Sequence, residues 1–194
     1  MPNLLQGGFH ADQELRSRAR RYNVVSNNST AIFRGDVLKI ATTGLVDVAA
    51  AGDTDLIGVA KEFEYTTGGK RVRSPYLPAS TTYTGNLVST QTWVWIYDDP
   101  NQEFWTTSAT NTSTDTAAEW EAAVGSNMDL LAGAGSTVYG CSGHQVDGTP
   151  VAGAAQFRIL EIRRVPGRTY TGANLHVKVM INEGFHAFVD NAGI

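Results

Sequence analysis

From Ala31 onward the chain reads as short β-prone runs separated by glycine turns, a punctuation that leaves room for few architectures. Ile32-Phe33 leads to Gly35-Asp36, then Val37 to Ile40, then Thr43-Gly44, then Leu45 to Val48. That is strand, turn and strand at hairpin spacing. Ala49 to Asp55 is a loop of small residues. Leu56 to Ala60 and Glu62 to Thr66 are strands ahead of a Gly68-Gly69 turn. Pro75 and Pro78 mark a loop or sheet edge. Leu87 to Tyr97 is the most β-prone run. Alternation puts Trp93, Trp95 and Tyr97 on one face and Val94 and Ile96 on the other. Asp98-Asp99-Pro100-Asn101 is a strong turn signal, so Trp93 to Thr107 is expected to form a hairpin. Phe157 to Val165 and Leu175 to Ile181 are strands, with Pro166-Gly167 turning between them.

One segment has a helix pattern. Asp115 or Thr116 can cap it, Glu119 completes a capping box from Thr116, and Gly125 stops it. A helix over about 116–124 follows. Many short strands, one short helix and 20 glycines predict an all-β chain. The expected body is a small β-barrel or sandwich-like domain over 31–194, preceded by an extended N-terminal arm over 1–30.

The arm has few apolar handles: Leu4, Leu5 and Phe9. It also concentrates arginine, with Arg16, Arg18, Arg20 and Arg21 inside six positions. It lacks an apolar stripe able to bury a helix. Such a segment is either a solvated terminus or an arm that orders on a partner, its guanidinium groups meeting carboxylates. Leu4, Leu5, Phe9 and the four arginines are the candidate contacts on the second reading. Trp93, Trp95 and Tyr97 either pack in the core or anchor self-association, since aromatic side chains dominate interfaces.

Net charge is −4, which argues against a broad nucleic-acid footprint. No apolar run approaches a membrane span, and no apolar leader opens the chain. A single cysteine, Cys141, excludes an intrachain disulfide. Charged residues make up only 18% of the chain, against the usual ~25%, which fits either a surface packed against neighbours or one rich in Thr, Ser and Asn.

Catalytic and metal motifs fail on inspection. Gly-Cys-Ser-Gly-His at 140–144 suggests a nucleophile elbow around Ser142, but His144 stands where glycine is needed. Cys141 and His144 have a metal-ligand spacing without the further ligands a structural zinc requires. Asp98, Asp99, Asn101 and Glu103 do not meet the calcium-loop pattern. Gly68-Gly69-Lys70 is no phosphate loop, and Arg34-Gly35-Asp36 is explained by its turn. Lys70, Arg71 and Arg73 could form a basic patch with Arg163, Arg164 and Arg168 if the fold joins them. No enzyme activity, metal or cofactor is expected. A hydrolase built on Ser142 or Cys141 with His144 is the dissenting reading.

Four pieces in order, over about residues 32–185, carry a family resemblance. They are Arg34 to Ile40 with Ile57 to Ala60, then Val94 to Phe104, then Gly125 to Ser136, then Gln156 to Ile162 with Val177 to Asn182. Together they resemble the head decoration, or cement, proteins of tailed bacteriophages, of the type found in phages of aquatic bacteria. The arginine-rich N-terminus departs from that pattern. The resemblance implies a virion structural protein, made in the bacterial host cytoplasm and bound to the outer capsid surface. It implies a dimer or trimer that clamps neighbouring major capsid protein subunits, with no catalytic residues. The alternative is a head-fibre or tail-associated carbohydrate-binding module.

Overall fold

The computed structural model describes residues 7–13, 17–25, 30–67, 69–79, 92–109, 117–163 and 175–189. Their strands are β1 (His10–Ala11), β2 (Ala19–Asn23), β3 (Ile32–Phe33), β4 (Val37–Ile40), β5 (Val46–Val48), β6 (Leu56–Thr67), β7 (Lys70–Ser74) and β8 (Tyr76–Leu77). After these come β9 (Thr92–Tyr97), β10 (Glu103–Thr107), the helix α1 (Ala117–Ala122), β11 (Asn127–Met128), β12 (Leu130–Leu131) and β13 (Gln145–Val146). The strands β14 (Phe157–Ile162) and β15 (His176–Ile181) complete the series. Among the described residues the fold is all-β with one short α-helix, as the glycine punctuation predicts.

Six strands form one sheet in the order β2-β9-β6-β4-β5, with β7 also on β6. Its two edges meet. Val24, just past β2, bridges Val46 of β5, and the Val25 N–H donates to the Val46 carbonyl at 3.1 Å. Closure removes the open edges that invite aggregation and gives the sheet an inside. Leu38, Ile57, Phe63, Val94 and Ile96 fill that inside, and the β3–β8 ribbon adds Ile32 and Leu77.

The long strand β6 serves two cores because it bends twice. Its pairing shifts register against β4 near Gly58 and against β9 between Ala60 and Glu62. Each extra residue changes the face that the following side chains occupy. Ile57, Ala60, Phe63 and Tyr65 therefore point into the barrel, while Leu56 and Val59 join a second core. Gly58 (φ +142°) sits against the Tyr97 carbonyl, where any Cβ would collide.

The second core lies against a five-stranded sheet of order β1-β10-β15-β14-β11. Phe104, Phe157, Ile159, Val177 and Val179 come from that sheet, and Val37, Leu56, Val59 and Tyr97 from the barrel. Trp120 and Ala123 fasten α1 to the same cluster.

The expected Trp93–Thr107 hairpin is corrected. The turn exists, with Asn101 N–H donating to Asp99 Oδ1 and Gln102 N–H to the Asp99 carbonyl, both at 2.9 Å. It carries the chain from one sheet to the other, because Tyr97 and Phe104 bury in the same core from opposite sides. The Val37–Val48 hairpin forms as expected and β14 pairs with β15. Beyond the expected strands, β6 also pairs with β7 over Lys70–Ser74. The Pro166-Gly167 turn lies outside the described residues.

The described parts of the first thirty residues are extended and join both sheets. β1 pairs with β10, and β2 pairs with β9 along its full length. Phe9 is corrected as an arm contact. It is only 2% exposed and stacks on Phe157 at 4.9 Å between ring centres. An apolar ring of this size buried in a core stabilises the fold by about 1.5–3 kcal/mol, so it is not free to meet a partner.

Candidate functional site

The Ser142 segment is held by a buried polar network. Asp36 accepts from the Phe33 N–H at 2.7 Å, and His144 Nε2 stands 3.5 Å from Asp36 Oδ1. The Val37 N–H donates to His144 Nδ1 at 3.2 Å, so the ring proton is on Nε2, facing the carboxylate. Ser142 Oγ accepts from the His144 N–H at 2.8 Å and also bonds Asp36. Burial pushes the Asp36 carboxyl up and the His144 imidazole down, each partly offset by attraction to the other. Ser142 is 2% exposed, and its hydroxyl faces these groups rather than a cleft. The network pins the loop ahead of β13 to the start of β4. His144 Nδ1 is spent on Val37, so the Cys141–His144 spacing does not make a ligand pair.

The loop between β12 and β13 ends in a displayed tip. Ser136 N–H donates to the Cys141 carbonyl at 2.9 Å, and Gly140 N–H to the Ser136 carbonyl at 2.7 Å. Gly140 takes φ +63° and lies so close to the Pro75 ring that a Cβ would stand 2.6 Å from it. Its neighbours Val138 and Tyr139 project into solvent, 84% and 70% exposed. Two large side chains are thus held in water by a backbone that is itself tied down.

Beside the tip lies a ladder of charge and aromatics on the outer face of the barrel. Arg21 and Arg71 each place their guanidinium carbon 5.1 Å from the Trp93 ring centre. Glu64, next to Trp93 in register, is buried and pairs with Arg71, and with Arg73 at 3.3 Å. Arg73 also lies 3.9 Å from Glu62. A shallow hollow of about 300 Å³ between Arg34, Lys61, Arg73 and Pro75 joins this ladder to the base of the tip.

The expected site residues distribute as follows. Leu4, Leu5 and Arg16 lie outside the described residues. Arg18 is exposed. Arg20 points to the barrel mouth, 3.4 Å from Asp98, which also accepts the Tyr22 hydroxyl. Arg21 packs on Trp93, so it and Arg20 are engaged within the fold. Trp95 is half-buried. Tyr97 is corrected as a self-association residue. It is 4% exposed because the five-stranded sheet covers its part of the barrel face. Arg163 lies at the end of β14, separate in the chain topology from Arg71 and Arg73 on β7, while Arg164 and Arg168 lie outside the described residues.

Two parts of this surface were missed in the sequence. Glu62 and Glu64 alternate before a glycine turn, and Arg71 and Arg73 alternate after it, so a hairpin there had to pair opposite charges. The Val138-Tyr139 tip had a weaker signal, two large apolar residues between Ser136 and Gly140. Comparison with family models, with curated proteins and with solved structures finds no match.

Proposed function

We propose that this chain is a virion structural protein that binds the outer surface of a phage capsid and clamps neighbouring major capsid protein subunits. The observation that carries this reading is the Val138-Tyr139 tip, an apolar pair held in solvent by hydrogen bonds and by the Gly140–Pro75 contact. A rigid apolar anchor loses little conformational entropy when it enters a pocket, which is where aromatic residues contribute most to protein binding. Arg71 and Arg73, with more than half of their side chains exposed, lie next to it and suit a partner surface bearing carboxylates.

The clamp acts by mass action. A body that binds only the assembled shell stabilises it by RT ln(1 + [L]/Kd) per site. Copies associated as dimers or trimers gain avidity on a repeating lattice. The experiment is occupancy on purified capsids. Val138→Asp with Tyr139→Ala is expected to lower occupancy about a hundredfold while the fold stays intact, in line with loss of an interface anchor. Unchanged occupancy of this double variant would sink the reading.

A further inference from the structure

The five-stranded sheet carries a second surface, remote from the tip in the topology. Trp105 of β10, Lys178 of β15 and Glu161 of β14 stand in one row, because Lys178 is the register partner of the other two. Lys178 Nζ lies 3.1 Å from Asp12, 3.2 Å from Glu103 and 3.3 Å from Glu161. It also stands 5.1 Å from the centre of the Trp105 ring. The Trp105 Nε1–H donates to Asp12 Oδ1 at 3.2 Å. The indole is therefore fixed at its edge by a carboxylate and on one face by an ammonium.

Beside this fixed ring opens a groove of about 690 Å³. Its apolar lining is Trp105, Val124, Leu160 and Ile162, and Glu121, Glu161 and Arg163 supply its polar groups. The size falls in the range of small-molecule sites, about 300–1,000 Å³. The chemistry narrows the ligand. In the lining, the carboxylates of Glu121 and Glu161 outnumber the single guanidinium of Arg163, so an anion is disfavoured. A wholly apolar ligand would cover the charged side chains of the lining without offering them a hydrogen bond. A neutral molecule with a C–H face and outward hydroxyls meets both demands. Its C–H face lies on the indole, its hydroxyls donate to the carboxylates, and Arg163 donates to its oxygens.

We infer that the groove lined by Trp105, Glu121, Glu161 and Arg163 is a binding site for a short neutral saccharide. The inference does not rest on the capsid reading, since it uses a different surface. A basic peptide is the competing occupant, and the test separates the two.

The full chain is presented to an array of neutral hexose, deoxyhexose and N-acetylhexosamine oligosaccharides, and the strongest binder is titrated by calorimetry. Trp105→Phe, Glu121→Gln and a tetralysine probe are run alongside. At least one neutral oligosaccharide is expected to bind, about tenfold more weakly in Glu121→Gln, whose circular dichroism and thermal midpoint are compared with the parent chain's so that a fold change is read separately. Trp105→Phe retains a smaller aromatic face and is expected to weaken binding less than Glu121→Gln does. An array without a bound neutral oligosaccharide overturns the inference. So does saccharide binding that neither variant alters, or tetralysine binding that Glu121→Gln abolishes while no sugar binds.

Discussion

His144 and Asp36 meet 3.5 Å apart in the interior, joined across more than a hundred residues of chain, with both side chains almost wholly buried. The pair bridges the β12–β13 loop to β4, so the displayed tip depends on it. His144→Ala leaves the Asp36 carboxylate and the Val37 N–H without this partner. It is expected to destabilise the fold by about 2–4 kcal/mol, read as a shift of the denaturant midpoint. His144→Ala with an unchanged midpoint would remove the network from the account.

The same imidazole makes stability depend on pH. Burial holds His144 below its ordinary 6.5, and it holds His186 down in the same way, each partly offset by nearby aspartates. The unfolded chain therefore takes up protons near pH 6.5 that the folded chain refuses. This stability is present above pH 6.5 and is lost as pH falls below it. Asp36 acts with the opposite sign. Its raised pKa favours the protonated folded form, a contribution full below 3.8 and lost as pH rises through the folded value. Thermal midpoints are expected to fall from pH 7.5 to pH 5.5, and less steeply in His144→Gln, which keeps only the His186 part.

Tyr22 titrates late. Burial, then the hydrogen bond to Asp98, push its phenol up to about 12. Asp98→Asn removes the negative charge and is expected to bring that titration back toward 10 in an ultraviolet titration. The folded form favours the protonated phenol, so this contribution is present below pH 10 and is lost as pH rises toward 12.

Removing residues 1–21 is expected to damage the body rather than trim an appendage. It takes away Phe9, β1 and three of the five residues of β2. Phe9→Ala alone is expected to cost about 3–5 kcal/mol, measured by chemical unfolding. A truncated chain with wild-type stability would show that the N-terminal strands are not part of the fold.

Local signals carried much of the architecture. Val37 to Val48 and Glu62 to Ser74 form hairpins because alternation and glycine turns act over a few residues. The long-range steps were hidden. Asp98 to Asn101 reads as a hairpin turn whether its strands pair or part, and burial of Tyr97 and Phe104 in one core decides between them. Phe9 looked like a handle because its partner Phe157 lies far along the chain. The Arg21–Trp93–Arg71 stack needs four strands in register, β2, β9, β6 and β7, which no local pattern encodes. In the candidate site, Trp93 and Arg21 were legible as residues. Tyr139, Arg71 and Trp105 become meaningful only once backbone closure fixes where they point.

Lys178 gathers three carboxylates that repel one another without it. Burial alone would lower its pKa, but the hydrogen bonds its ammonium donates to Asp12, Glu103 and Glu161 outweigh this and raise it. Lys178→Met is expected to lower stability by about 1–2 kcal/mol at low salt, the carboxylates being partly exposed. The loss is expected to shrink at 1 M salt, where screening reaches about 3 Å. A salt-independent loss would point to packing on Trp105 instead.

The central claim is that this chain binds an assembled phage shell. Co-sedimentation of the purified chain with expanded and unexpanded tailed-phage capsids tests it most directly. The account predicts saturable pelleting with expanded shells at a fixed ratio to the major capsid protein. A chain that stays in the supernatant with both shells would contradict it.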